Sequence, residues 1–224
     1  MVIAIEKNVD LCPVQITPFY VTWLHQSQEV LLLQGQRSKT EKQRVFVLTG
    51  ISNQPDETWE RVIPVAEENK VYLGCHLPDP PTPSGHRGLT RVLGARRGEG
   101  LRQFVKIVES PYHGFNFCVG SVAEGLEHPN EEVHDLIRTF GKQKKIFNIH
   151  LRNIIGKRDR FMEVYPDNGD IDFVRVVRTL AEVKYPYMIM PDHVPGHPDP
   201  ASRHQAFAFA YGHIIALIQA ANQA

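Results

Sequence analysis

Four short apolar segments in the last three quarters of the chain each end in a polar residue. The segments are rich in β-branched and aromatic residues, which is typical of buried strands. They are Val71–His76, Phe115–Cys118, Ile146–His150 and Tyr187–Asp192. The pattern therefore predicts four strands, each with a polar side chain at its carboxyl end.

Apolar residues at helical spacing separate these strands. The i, i+3, i+4, i+7 pattern occurs at residues 101–108, 133–140 and 173–180, and a last helix is predicted over residues 203–221. Gly141 is predicted to end the second of these helices, and Asp170 or Asp172 to cap the start of the third. Alternating strands and helices predict an α/β fold with a parallel sheet and crossover helices.

The polar residues at the four strand ends are His76, Cys118, His150 and Asp192. The carboxyl ends of parallel barrel strands open on one face, where such side chains converge. A single histidine at a strand end is usually a structural residue, but four side chains of metal-binding types in consecutive units predict a metal centre. The softness of the thiolate and imidazole ligands alone favours Zn²⁺ or Fe²⁺. Mn²⁺ also fits if water and substrate oxygens complete a six-coordinate shell around the ion.

Overall composition narrows the functional classes. Lys+Arg and Asp+Glu both number 25, so the formal net charge is zero, which argues against nucleic-acid and anionic-membrane partners. Three widely spaced cysteines make a poor disulfide framework, so we expect a cytoplasmic setting. Seven histidines outside the candidate site are expected in loops or at the surface: His86, His113, His128, His134, His197, His204 and His213.

Several motifs from residue 57 onward, in order, resemble the mannonate dehydratase family. They are VIPVAEE at 62–68, CHLPDPP at 75–81, SPYHGFNFCVGS at 110–121, IHLRN at 149–153, FMEVYP at 161–166, GDID at 169–172 and MPDH at 190–193. The resemblance covers about residues 57–224. Several motifs in the same order are more specific than any one of them alone.

The resemblance implies a fold, a reaction and a set of site residues. The fold would be a (β/α)8 TIM barrel of the xylose isomerase-like type. The reaction would be the dehydration of D-mannonate to 2-keto-3-deoxy-D-gluconate in hexuronate catabolism, with Mn²⁺ or Fe²⁺ as the cofactor. By motif, the family's metal ligands correspond to His76, Cys118, His150 and Asp192, which are the residues that the strand ends select.

Other site residues follow from position and resemblance together. His193 directly follows a metal carboxylate and corresponds to a catalytic histidine of the family, although a supporting hydrogen bond is the alternative. Arg152 lies two residues past His150 and would bind the substrate carboxylate, or else form an ion pair at the barrel mouth. Asp79 and Arg91 are weaker candidates for substrate contacts.

Chain length limits how much of a barrel can form. Four βα units need roughly 30 residues each, so residues 1–56 are too few for the first four. We expect residues 57–224 to form the C-terminal half of a barrel, incomplete or rearranged at its N-terminus, after a divergent segment at 1–56. A partner chain or a second copy in a homo-oligomer would then cover the open sheet edges. The alternatives to the dehydratase are a xylose isomerase-like sugar isomerase or epimerase, which Cys118 disfavours, and an inactive family member.

Overall fold

The computed structural model describes residues 44–48, 56–81, 97–196 and 199–223. All of these residues belong to one compact unit, which spans residues 41–224. Arg91, His86 and His197 lie outside the described residues, as does most of the predicted N-terminal segment. The proposed boundary near residue 56 therefore stays a prediction.

Five parallel strands form the main sheet. They are β1 (Arg44–Leu48), β2 (Val71–His76), β3 (His113–Cys118), β4 (Ile146–His150) and β7 (Met188–Met190), and they lie side by side in the order β1-β2-β3-β4-β7. Every neighbouring pair is parallel, as the alternation of strands and helices predicts. A separate antiparallel hairpin, β5 (Asn153–Lys157) with β6 (Arg160–Val164), follows β4 directly and was not predicted from the sequence.

The described ranges contain six helices. They are α1 (Asp56–Glu68), α2 (Arg97–Phe104), α3 (Val119–Ala123), α4 (Pro129–Lys142), α5 (Phe173–Glu182) and α6 (Pro200–Ala221). Asp172 caps α5, since its side chain accepts a hydrogen bond from the Arg175 backbone N–H. Asp170 instead accepts a hydrogen bond from the Gly156 backbone N–H in the hairpin. None of the helices in the described ranges is long and apolar enough to cross a membrane.

The two faces of the sheet carry different side chains because strand residues alternate. Apolar residues on the outer face, such as Cys75, Phe117 and Ile149, join the helices in one hydrophobic core. Residues one position away, such as Asn116 and Asn148, face the other side and are also buried. This second face carries the polar side chains that lead up to the candidate site.

Three predictions about single residues were wrong. Gly141 lies inside α4 rather than at its end, and a Cβ there would come within 2.5 Å of Val183. His113 and His134 are completely buried rather than exposed. His113 stacks on Trp59 with ring centroids 5.6 Å apart, so it fills core space as an aromatic ring would.

Candidate metal centre

The four residues at the strand ends come together at the carboxyl edge of the sheet. One ligand atom from each of His76, Cys118, His150 and Asp192 lies within 4.8 Å of every other. His150 Nδ1 is 3.1 Å from Asp192 Oδ1, and Cys118 Sγ is 3.7 Å from Asp192 Oδ2. Atoms bound to one ion at about 2.0–2.3 Å lie roughly 3–4.5 Å apart, so small side-chain adjustments suffice for a shared ion.

Local backbone structure orients three of these side chains. The His76 ring directs Nδ1 at the Leu77 carbonyl oxygen 2.7 Å away, which leaves Nε2 for a metal. Cys118 precedes α3, and its sulfur accepts the Ser121 backbone N–H at 3.4 Å. Asp192 lies two residues past β7 with φ of 71°, a left-handed conformation that aspartate tolerates better than most residues.

Charges at the cluster favour an ionised carboxylate. Burial alone would raise the pKa of Asp192, but the adjacent His150 holds that pKa well below its usual range. Burial likewise opposes protonation of His150, yet Asp192 raises the pKa of that imidazole. Burial lowers the pKa of His76, which favours the neutral ring that a metal requires. The donor set of two imidazoles, a thiol and a carboxylate therefore fits a divalent transition metal.

Arg152 lies beside this cluster and is almost completely buried. Its Nη1 donates to Asp79 Oδ2 at 2.7 Å and to Glu163 Oε1 at 2.6 Å. Its Nη2 donates to Glu124 Oε1 at 2.6 Å and to Ser121 Oγ at 3.1 Å. A Cβ at Gly120 would come within 2.4 Å of the guanidinium, so only glycine allows this packing. The structure thus contains the ion pairs that were the alternative to a substrate contact.

His193 contacts both the metal cluster and the arginine. Its Nδ1 is 3.0 Å from Glu163 Oε2, and its Nε2 is 3.4 Å from Asp192 Oδ2 and 2.7 Å from Arg152 Nη1. The hydrogen bond to Glu163 raises the pKa of His193, and Asp192 adds to this effect. Its side chain is 44% exposed, so it is accessible to a small molecule.

A second group of metal-binding side chain types, Asp79, Glu163 and His193, surrounds the Arg152 guanidinium. Nη1 lies 2.6–2.7 Å from an atom of each of the three. A cation already fills this space, so the arrangement is that of an ion-pair network and not of a second metal site. Burial alone would raise the pKa of Asp79, but Arg152 lowers it, as expected for a permanently charged carboxylate.

The structure thus brings together seven of the eight predicted site residues, and Arg91 lies outside the described residues. Sequence reasoning missed Glu124 and Glu163, which complete the arginine network. Glu163 belongs to a motif that the family resemblance had singled out, so its position carried a signal. Glu124 carried none, because it lies six positions past Cys118, directly after α3, and outside every motif of the resemblance.

Comparison with known proteins identifies the family. The family model for D-mannonate dehydratase (UxuA) matches residues 57–219. The chain belongs to this family. Mannonate dehydratase from Thermotoga petrophila is 35% identical over 137 residues, which are 60% of this chain and 36% of that protein. The chain therefore spans little more than a third of the length of this relative.

Solved structures agree with the family and with the fold. The crystal structure of mannonate dehydratase from Streptococcus suis serotype 2 matches with a TM-score of 0.63 and 26% identity, over 75% of this chain and 48% of that chain. A xylose isomerase domain protein from Alicyclobacillus acidocaldarius matches with a TM-score of 0.56 and 15% identity, over 80% of this chain and 65% of that one. The predicted α/β fold, part of a xylose isomerase-like barrel, is confirmed. The family is metal-dependent, and the four-residue cluster suits that requirement.

Proposed function

We propose that this protein is a cytoplasmic hydro-lyase that dehydrates D-mannonate to 2-keto-3-deoxy-D-gluconate in hexuronate catabolism. The single observation that carries the proposal is the convergence of His76, Cys118, His150 and Asp192 in a chain that belongs to the D-mannonate dehydratase family. We propose Mn²⁺ or Fe²⁺ as the cofactor. In the bound form, such an ion would supply a Lewis acid for the substrate oxygens.

The reaction removes one proton and one hydroxide from the substrate. The C2–H bond breaks and its proton passes to a base, the C3–O bond breaks and hydroxide leaves as water after protonation, and the resulting enol becomes the 2-keto acid. We propose His193 as the base, since its imidazole borders the cluster and is 44% exposed. Glu163 contacts Nδ1 of this ring, while Nε2 borders Asp192 and lies 2.7 Å from Arg152 Nη1, so the Arg152 contact must give way when Nε2 takes the proton.

Arg152, Asp79 and Arg91 remain the predicted substrate contacts. The Asp79 side chain is 26% exposed and can reach a bound sugar acid directly. The Arg152 side chain is only 1% exposed and already donates to three carboxylates. A direct contact from Arg152 would therefore require the substrate carboxylate to replace one of these partners. Glu163, at 29% exposure, is easier to displace than the buried Glu124.

The test is turnover of D-mannonate by the purified full chain, loaded in turn with Mn²⁺ and Fe²⁺. Product would be followed as 2-keto acid by NMR, with altronate and other hexonates assayed in parallel. We expect His150→Ala to lose both bound metal and turnover, while His204→Ala, an exposed histidine on α6, keeps both. Full activity of His150→Ala would exclude the proposed centre.

The same experiment separates the alternatives. Bound metal without any keto acid product would favour an inactive family member. Conversion of a sugar into its isomer or epimer, with no loss of water, would favour the xylose isomerase-like alternative. Light scattering of the same sample would test whether the chain forms a homo-oligomer, which we propose only as the way in which open sheet edges would be covered.

A further inference from the structure

Two buried asparagines lie one layer below the candidate metal ligands. Asn116 and Asn148 are register partners on β3 and β4, and each precedes a cluster residue, Cys118 or His150, by two positions on the same face of its strand. Their exposures are 0% and 1%. Buried amides are costly unless they are hydrogen-bonded, so their partners indicate what they do.

The two amides form a chain of hydrogen bonds that ends on a metal ligand. Asn116 Nδ2 lies 3.0 Å from His150 Nε2. Asn148 Nδ2 donates to Asn116 Oδ1 at 2.9 Å and approaches Met190 Sδ at 3.1 Å. Asn148 Oδ1 is buried and has no hydrogen-bond partner among the residues that the structure describes. The chain therefore starts at a weak sulfur acceptor and ends at the imidazole.

This direction of hydrogen bonding fixes the tautomer of His150. With Asn116 as the donor, Nε2 accepts and the proton resides on Nδ1, which faces Asp192 Oδ1 at 3.1 Å. Nδ1 is also the nitrogen on the side of the cluster, so it is the atom that would bind a metal. Metal binding requires a lone pair on Nδ1 and places the proton on Nε2, opposite Asn116.

The other imidazole of the cluster shows the contrast. His76 directs Nδ1 at the Leu77 carbonyl oxygen, which can only accept, so its proton stays on Nδ1 and Nε2 is always available. A backbone carbonyl fixes one tautomer, whereas a side-chain amide can present either its oxygen or its NH₂ group. His150 is therefore the ligand whose tautomer depends on the orientation of a neighbour.

We propose that Asn116 and Asn148 form an amide relay, in which both side-chain amides flip and their hydrogen bonds reverse direction when His150 binds the metal. In the reversed orientation His150 Nε2–H donates to Asn116 Oδ1, and Asn116 Nδ2–H donates to Asn148 Oδ1. In either orientation one polar atom of Asn148 lacks a protein partner within the described chain, so neither orientation satisfies both amides. The contact with Met190 Sδ favours the first orientation without metal, and ligation at His150 favours the second.

This inference rests on the proposed metal centre and not on any particular substrate, so it can be tested with metal alone. Protein labelled with ¹⁵N-histidine would be compared by NMR without metal and with Zn²⁺, and His150→Gln would identify the signals of His150. We expect the Nδ1–H tautomer without metal and the Nε2–H tautomer with Zn²⁺. An Nε2–H tautomer in the metal-free protein would overturn the relay and leave Asn116 as a fixed support.

Two substitutions that keep the number of side-chain heavy atoms then separate positioning from packing. Asn116→Leu removes the acceptor for Nε2–H, and we expect the affinity for Co²⁺, measured by the absorbance of its thiolate complex, to fall about 10–100-fold. Asn116→Asp supplies a carboxylate that can accept from Nε2–H, and we expect an affinity within tenfold of the unchanged protein. If Asn116 only packs, the order reverses, because leucine suits a buried position better than aspartate.

Failure of the proposed function would look different. A protein that binds Zn²⁺ and switches the tautomer of His150, yet never dehydrates mannonate, supports the relay and removes only the proposed activity. A protein with no measurable affinity for Co²⁺ or Zn²⁺ removes both. If Asn116→Leu does not fold, as judged by circular dichroism, the tautomer measurement on the unchanged protein still decides the matter.

Discussion

Replacing Arg152 with methionine should be among the most damaging single changes in the described chain. The side chain is 1% exposed and pairs with three carboxylates, of which Glu124 is 0% exposed. Methionine has a similar length but no charge, so it would leave the Glu124 carboxylate buried without its cation. Breaking a buried ion pair in this way costs about 3–5 kcal/mol. For a chain of this size that corresponds to a fall in Tm of roughly 10 °C.

Thermal unfolding followed by circular dichroism, on metal-free protein near pH 7, would measure this change. Arg138 provides the matched control, since it also pairs with two carboxylates, Glu182 and Asp135, but at the surface. Exposed ion pairs are well solvated, so Arg138→Met should lower Tm by much less than a third of the effect at Arg152. The comparison isolates burial, because the same residue type is lost in both variants.

A second substitution tests the physical cause. If the cost comes from the buried Glu124 carboxylate that has lost its cation, adding Glu124→Leu to Arg152→Met should recover a large part of the lost stability. Asp79 and Glu163 stay hydrated at 26% and 29% exposure and should contribute little. Equal Tm values for Arg152→Met and Arg138→Met, or a double variant less stable than the single one, would refute the reasoning.

Three further predictions concern the helices around the sheet. Burial, with two nearby arginines, lowers the pKa of His134 from 6.5 to about 4. Because the unfolded chain then binds a proton that the folded chain does not, the free energy of unfolding should fall by about 2–3 kcal/mol as the pH drops from 6.5 to 4. Urea unfolding of His134→Leu over the same pH range should show a smaller fall. Gly141→Ala should destabilise by about 1–2 kcal/mol through contact with Val183, with recovery in a Gly141→Ala, Val183→Ala double variant, and unchanged stability of the single variant would contradict the contact. Asp172→Ala should cost about 1 kcal/mol by removing the cap of α5, whereas Asp172→Asn should cost less, and equal losses in thermal unfolding would argue against capping.

Strand predictions were accurate where a compact apolar run ended at a polar residue. The bounds Val71–His76 and Ile146–His150 agree with β2 and β4 at both ends. The strand predicted at Tyr187–Asp192 is shorter, since β7 covers only Met188–Met190 and Asp192 follows in a left-handed turn. The difference arises because apolar pattern reports burial, while strand bounds depend on hydrogen bonds to the neighbouring strand.

Helix predictions failed in one instructive way. The spacing at residues 101–108 predicted a helix through Val108, but α2 ends at Phe104. Val105 and Val108 still pack against the core, so the apolar period was real although the helix ends before them. Helix α1, which was not predicted from the sequence, contains Pro64. The proline is tolerated there because the packed face of Trp59 and Ile63 outweighs the preference of proline for helix ends.

The sequence by itself determined the four strands that carry the candidate metal ligands, and the ligands themselves. Strand periodicity alternates core and inner-face side chains, and parallel strands place their carboxyl ends together, so His76, Cys118 and His150 could be selected from local pattern alone. Only the tertiary structure decided which groups surround them. Arg152 meets Glu124 from 28 positions away and Asp79 from 73, and hydrogen bonds over such separations leave no local pattern in the chain.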